Sequence, residues 1–367
     1  MPPENTANRP SNILEFQQPQ RRSRSSFDDG YITLAHGSGG RATHNLIADL
    51  FLETFASETL NALDDSARLE LAPFVARGDR LAFTTDSFVV DPLFFPGGDI
   101  GMLAVNGTVN DLAVTGAIPL YLSCGFIIEE GMSIATLRRI TQSMKTAADT
   151  ARVKIVAGDT KVVPRGKGDK VFINTAGVGA AHSNLVPGPR YLQPGDGILL
   201  SGPMGDHGTA ILLARGDLAL EADIRSDCQP LHDLTAALCE ACPRVRAMRD
   251  ATRGGVAAVL NEFAHDSRVG ITLEESVLPV RPAVAAACEV LGLEPLHMAN
   301  EGLLVVVVPG EFVPQALAAM RSLPEGREAC QVGWVTNADT PVVTLKTTFG
   351  SERIIDWPVG DPLPRIC

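Results

Sequence analysis

The sequence predicts a mixed α/β (α+β) protein built from two domains. Three observations carry this. The chain of 367 residues is long enough for two domains. Apolar runs of strand length alternate with segments of helical spacing, and the alternation occurs in two successive halves. A cluster of Pro187, Gly188, Pro189, Pro194 and Gly195 separates the halves. The expected division is a disordered arm at 1–30, domains at 31–185 and 186–348, and a flexible tail at 349–367.

The arm is rich in Pro, Asn, Gln, Ser and Arg, and order is expected to begin near Tyr31. A glycine-rich turn, His36-Gly37-Ser38-Gly39-Gly40-Arg41, precedes Leu46, Ile47, Leu50, Phe51 and Phe55 at helical spacing. Leu81 to Thr85 reads as a strand ending at Asp86. Met102, Val105, Val109, Leu112 and Ala113 predict a helix, and Leu120 to Ile128 a strand. Ser133 predicts a cap for a helix carrying Ile134, Leu137, Ile140 and Met144. Val153 to Ala157 reads as a buried strand leading into Gly158-Asp159-Thr160-Lys161, and Val171 to Ala180 closes the half.

In the second half, strands are expected at 197–200, 303–308, 331–335 and 342–346. Helices are expected at 207–214, 231–242, 254–264 and 312–323. The tail holds Pro358, Gly360, Pro362 and Pro364, which continue neither a helix nor a central strand. Extended, it spans on the order of 50 Å, enough to cross a domain and deliver Cys367 to a distant pocket.

The formal net charge of −12 argues against general nucleic-acid binding. No run of 18 apolar residues occurs, so no membrane-spanning helix is expected. Arg21-Arg22-Ser23-Arg24 is followed by polar residues, unlike a secretory signal, and a cytoplasmic location is expected. The seven cysteines are odd in number, which speaks against a disulfide framework.

Asp86, Asp111 and Asp159 are three carboxylates expected at or near element ends in one domain, with Asn106, Gly107 and Asn110 nearby. Such a set suits Mg²⁺, a hard cation that prefers carboxylate and phosphate oxygens. Turn and cap residues look the same. The glycine-rich turn lets amides approach a phosphate, though it lacks the Gly-Lys-Ser/Thr ending of a P-loop and also reads as an ordinary loop. Asp250-Ala251-Thr252-Arg253-Gly254-Gly255 precedes a helix: Asp250 or Thr252 caps it, or its N-terminus faces an anion beside Arg253. Cys239 and Cys242 lack a second ligand pair, so structural cysteines are expected there. Glu301, before a strand, is either a surface turn residue or a general base in a cleft. Cys367, last on a Pro-rich tail, is expected to be mobile and exposed, as a covalent carrier requires; an ordinary chain end gives the same pattern.

Several runs together resemble one family. They are Thr85-Asp86-Ser87-Phe88 through Gly101, Leu103-Ala104-Val105-Asn106-Gly107-Thr108-Val109-Asn110-Asp111, Gly125 to Gly131, Gly158-Asp159-Thr160-Lys161, the Asp250 to Gly255 run and the ending Pro364-Arg365-Ile366-Cys367. From about Leu34 to Cys367 the chain resembles the HypE family of hydrogenase-maturation carbamoyl dehydratases, within the PurM-like (AIR synthetase-related) superfamily. Ala251 stands where proline is expected, and residues 1–33 are an extension.

The resemblance implies a domain that dimerises through its sheet, a second α/β domain covering it, and ATP in the groove between them. Asp86, Asp111 and Asp159 would hold Mg²⁺ and phosphates, supported by Asn106, Gly107, Asn110, Thr160 and Arg253. His36, Gly37, Ser38, Gly39, Gly40 and Arg41 would close over the nucleotide. HypF would carbamoylate Cys367, and ATP-dependent dehydration would leave a thiocyanate there. Lys161 and Glu301, as a tuned pair, would orient substrate and move protons, and the cyano group would pass to iron on HypC–HypD. The other readings are a selenophosphate synthetase, a thiamine-phosphate kinase, a purine-pathway synthetase, or a non-enzymatic scaffold. The first expects a reactive Cys near the glycine-rich turn, which is absent, and the next two have no use for a terminal Cys.

Overall fold

The computed structural model describes residues 30–182, 185, 187–216, 222–358 and 365–367. The expected arm at 1–30 therefore falls outside the described residues but for Gly30. The first sheet contains β1 (Arg80–Phe88), β2 (Ile118–Glu129), β3 (Lys154–Val163) and β4 (Val171–Ala181) in the order β1-β4-β2-β3. β2 and β3 are parallel, joined by the long helix Ile134–Thr150, as a parallel pair requires. The hydroxyl of Ser133 caps that helix by accepting from the Thr136 amide at 3.0 Å.

The helix Ile100–Val114, α1, lies across the sheet, with α2 (Ile134–Thr150) packed beside it. Asp99 caps α1, accepting from the amides of Gly101 and Met102 at 2.8 and 3.0 Å. Nearly every residue of α1 is buried, so it carries an all-round apolar surface rather than a stripe. Close approach depends on Gly107, where an added Cβ would fall 2.7 Å from the Phe88 ring.

The opposite face of this sheet is open. Leu81 and Phe83 of β1 are 62% and 72% exposed, and Ile127 of β2 is also exposed. Alternation along the strands puts one face on α1 and leaves the other bare.

The second sheet contains β5 (Gly197–Leu200), β6 (Ala247–Asp250), β7 (Gly270–Glu274), β8 (Leu304–Val308), β9 (Cys330–Thr336), β10 (Val342–Lys346) and β11 (Glu352–Ile354). Its order is β11-β10-β7-β9-β5-β8-β6. Helices α3 (Asp206–Ala214), α4 (His232–Ala241), α5 (Gly255–Ser267), α6 (Pro282–Leu291) and α7 (Val313–Arg321) accompany it. All five residues of β8 are buried, as a central strand of valines covered on both faces demands. Among the described residues, no helix is long and apolar enough to cross a membrane.

Four expectations are corrected. Asp86 lies within β1, because pairing with β4 continues to Phe88. Asp159 and Lys161 lie within β3, because pairing with β2 runs on from Cys124↔Gly158 to Glu129↔Val163. Gly254, in the left-handed region at φ +78°, occupies the N-cap of α5, and neither Asp250 nor Thr252 caps it. The tail is not wholly irregular: β11 pairs with β10, and Ile366 bridges Val90 of the first domain.

Candidate functional site at the tail terminus

The last residues of the chain are held between the domains. Cys367 is 8% exposed and Ile366 is buried, which corrects the expected exposed thiol. The backbone explains the burial. The Asp91 amide donates to the Arg365 carbonyl at 3.2 Å, and the Arg215 guanidinium donates to it at 3.0 Å. Arg365 itself pairs with Asp169 at 2.8 Å. His207, at the start of α3, contacts the Ile366 carbonyl through Nε2 at 2.7 Å.

The Cys367 thiol interacts with the carboxyl of Glu301, which is 3% exposed. Burial pushes the Glu301 carboxyl well above its usual range, reinforced by Asp227, Asp250 and Asp86. The thiol opposes this, since its interaction favours the carboxylate. Burial likewise raises the thiol, and Glu301 raises it further, while Arg253 at the mouth of α5 pulls it down. Glu301 Oε1 is buried without a partner.

Glu301 is positioned by its neighbours. Its amide and that of Gly302 both donate to the Asp227 carboxylate at 3.0 Å. Asn300 accepts from the Gly205 amide at 2.7 Å and donates to the carbonyls of Ala251 and Met298. Gly302 passes so close to Asp227 that an added Cβ would lie 2.0 Å from its carbonyl oxygen.

Asp250 ends β6 and is buried; burial first, then the charge of Asp111, pushes its carboxyl up to about 7. Asp111 is raised by burial, with Asp86 adding to the rise and the Thr84 hydroxyl, bonded at 2.8 Å, opposing it. Asp86, Asp111 and Asp250 thus feel one another. Asp159 does not join them. Three strand spacings separate β1 from β3, roughly 14 Å, and Asp159 instead pairs with Lys161 at 2.8 Å. The expected three-carboxylate site is therefore not assembled within the chain, and among the described residues no group of three or more ligating side chains converges.

The expected Lys161–Glu301 pair is corrected too. Lys161 sits exposed on the edge strand β3, while Glu301 is buried among Asp227, Asp250, Cys367 and Asp86. Lys161, Asp159 and Thr160 line a cavity of about 560 Å³ with Gly37, Gly39 and apolar Ile47, Phe51 and Leu60. It lies wholly on first-domain residues rather than between the domains. His36, Ser38 and Gly40 do not line it. The His36 ring takes the Thr33 amide at 3.0 Å, and Ser38 donates to the Ala35 carbonyl, so both stabilise the local turn.

The two asparagines of α1 divide their work. Asn110 is occupied by the second domain, donating to the Gln229 carbonyl and accepting from the Leu231 amide at 2.7 Å. Asn106 donates to the Cys228 thiol at 3.6 Å, and its Oδ1 is buried without a partner. Ser226, Asp227, Cys228 and His207 escaped the sequence reading. The first three sit on an irregular segment with no periodicity to mark it, and His207 stands on a helix in which nothing distinguishes it from a core residue. Cys239 is half-buried and Cys242 buried, both as free thiols.

Fold and site together define a two-domain protein of the AIR synthase-related class. Residues 63–181 match the AIR synthase related protein N-terminal domain, and residues 193–346 match its C-terminal domain. The chain is 53% identical over 336 residues to carbamoyl dehydratase HypE of Escherichia coli (strain K12), covering 92% of this chain and 99% of that one. Among solved structures, hydrogenase maturation protein HypE in complex with ATP matches with a TM-score of 0.86 at 46% identity, over 91% of this chain and 99% of that one. A HypE–HypF complex matches with a TM-score of 0.74 at 45% identity, over 85% and 99%. The chain belongs to the HypE family of carbamoyl dehydratases.

Proposed function

We propose that this chain is an ATP-dependent dehydratase acting on its own terminus, converting an S-carbamoyl group on Cys367 into a thiocyanate. That group would supply the cyanide ligand of nickel–iron hydrogenase iron. The observation that carries the proposal is the docked tail, which buries Cys367 against Glu301. A carbamoyl amino group carries N–H donors, and Glu301 Oε1, a buried acceptor of the group that faces the thiol, has no partner.

Asp86 and Asp111 fit a magnesium ion: the charge of Asp86 raises the Asp111 carboxyl, a repulsion that a bound cation relieves. An ion held by two carboxylates completes its shell with phosphate oxygens and water. When bound, magnesium ATP supplies the phosphoryl group that turns the carbamoyl oxygen into a leaving group. Burial raises the proton affinity of Glu301, so that in its carboxylate form it accepts an N–H proton of the carbamoyl group. In total the carbonyl oxygen departs as phosphate and the nitrogen gives up two protons, leaving S–C≡N. Arg253 offsets negative charge near the sulfur. Lys161, Thr160, Gly37 and Gly39 serve the nucleotide in the first-domain cavity.

That cavity and the tail site border opposite edges of one sheet. A homodimer through the open face at Leu81 and Phe83 is the arrangement we propose for joining them. The HypE relative solved with HypF supports a carbamoyltransferase as donor; transfer of the cyano group to HypC–HypD completes the scheme, set in the cytoplasm. Cys367→Ala tests it in cells lacking the native copy. Loss of hydrogenase maturation with an intact fold is expected, and maturation sustained by the variant would overturn the proposal.

A further inference from the structure

The tail terminus is gripped at two successive carbonyls, and the grips differ in kind. The Arg365 grip is peripheral: the Arg365–Asp169 pair is solvent-exposed, and such pairs contribute little. The grip on Ile366 is buried. His207 is fully buried, its ring edge-on to Phe95 with centroids 5.6 Å apart.

The proton positions in this grip follow from its partners. A carbonyl only accepts, so the Nε2 that meets Ile366 carries the proton and donates. Burial holds the imidazole's pKa down to about 4, so the ring is neutral and Nδ1 is an acceptor. The Ser226 hydroxyl, 2.8 Å from Nδ1, therefore donates to it. The same hydroxyl oxygen accepts from the Cys228 amide at 3.1 Å. Ser226 is in turn fixed to the first domain: its amide donates to the Pro96 carbonyl at 2.8 Å, and Gly97 packs so tightly that an added Cβ would lie 2.6 Å from the Ser226 backbone. A chain of donors thus runs from the 226–228 segment through His207 to the peptide carbonyl one residue before the reactive sulfur.

We propose that His207, oriented by Ser226, is a positioning residue that sets how deeply the tail inserts and so places the Cys367 sulfur against Glu301. It reads a backbone carbonyl, so it measures distance from the chain end rather than side-chain identity. A neutral donor suits this task, because it releases the tail without stranding a buried charge. In the undocked state the Nε2–H needs a replacement partner, which biases the equilibrium toward insertion.

The test does not require the dehydratase reading. Alkylation of Cys367 in the full-length protein is followed by mass spectrometry of the C-terminal peptide, without nucleotide or partner. His207→Leu is expected to speed alkylation roughly five- to tenfold, the scale of one lost hydrogen bond. His207→Gln, which keeps an N–H donor near Nε2, restores protection, and Ser226→Ala gives an intermediate rate. An unchanged rate in both His207→Leu and Ser226→Ala overturns the proposal. A second readout, resting on the proposed function, is single-turnover dehydration of the carbamoylated protein. His207→Leu is expected to slow dehydration while carbamoylation proceeds at the normal rate, and His207→Gln to recover it. Equal loss of both reactions signals a folding defect and contradicts a positioning role. Altered alkylation in a protein that dehydrates nothing upholds the clamp and removes the dehydratase reading.

Discussion

Asp250→Asn isolates the electrostatic cost built into the site. The wild-type carboxyl titrates near 7 in the folded protein, against 3.8 as its ordinary value. The folded state therefore keeps a proton that the unfolded chain has released at intermediate pH. Stability from this group is complete below about pH 4, falls as pH rises, and is lost once pH passes about 7. A displacement of about three pH units corresponds to about 4 kcal/mol at most, and local relaxation reduces it. Asparagine has the same shape and does not ionise. Relative to wild type, the variant is expected to gain between about 1 and 4 kcal/mol at pH 8 and nothing at pH 4. Urea unfolding from pH 4 to pH 8 measures the difference. A constant offset across that range, or a variant less stable at pH 8 than at pH 4 relative to wild type, refutes the reasoning.

Asp86→Asn is expected to weaken magnesium-dependent ATP binding by roughly tenfold or more; calorimetry that finds unchanged affinity in it and in Asp111→Asn removes the metal assignment. Asn300→Ala strands the Gly205 amide and two carbonyl contacts in the interior. A loss of about 2–4 kcal/mol is expected in urea unfolding. Phe83→Asp on the open sheet face is expected to shift a dimer to monomer by sedimentation, and an unshifted dimer places the interface elsewhere.

Much of the architecture was legible because burial imposes period. The valines of β8, the face Ile134, Leu137, Ile140 and Met144, and the Ser133 cap were readable from local pattern alone. Strands β6, β7 and β11 and helix α6 were not, being short or alanine-rich with weak periodicity. The tail was readable as an irregular, extended segment by its prolines, yet its docking was not. Docking depends on partners at Asp91, Arg215 and His207, each 150 residues or more from the tail residue it holds. Pairing at the site was the least legible. Lys161 and Glu301 fit a base-and-cation pair by type, but the strand order places Lys161 on the far edge and surrounds Glu301 with acids. Asp159 is separated from Asp86 for the same reason. Strand order is a long-range property that no local run of residues encodes.

The most direct measurement is the intact mass of the C-terminal peptide after incubation with HypF, carbamoyl phosphate and magnesium ATP. The account predicts a carbamoyl adduct on Cys367 that then loses the mass of one water. A peptide left unmodified by a HypF shown to be active on another HypE, or a carbamoyl adduct that persists with ATP present, would contradict it.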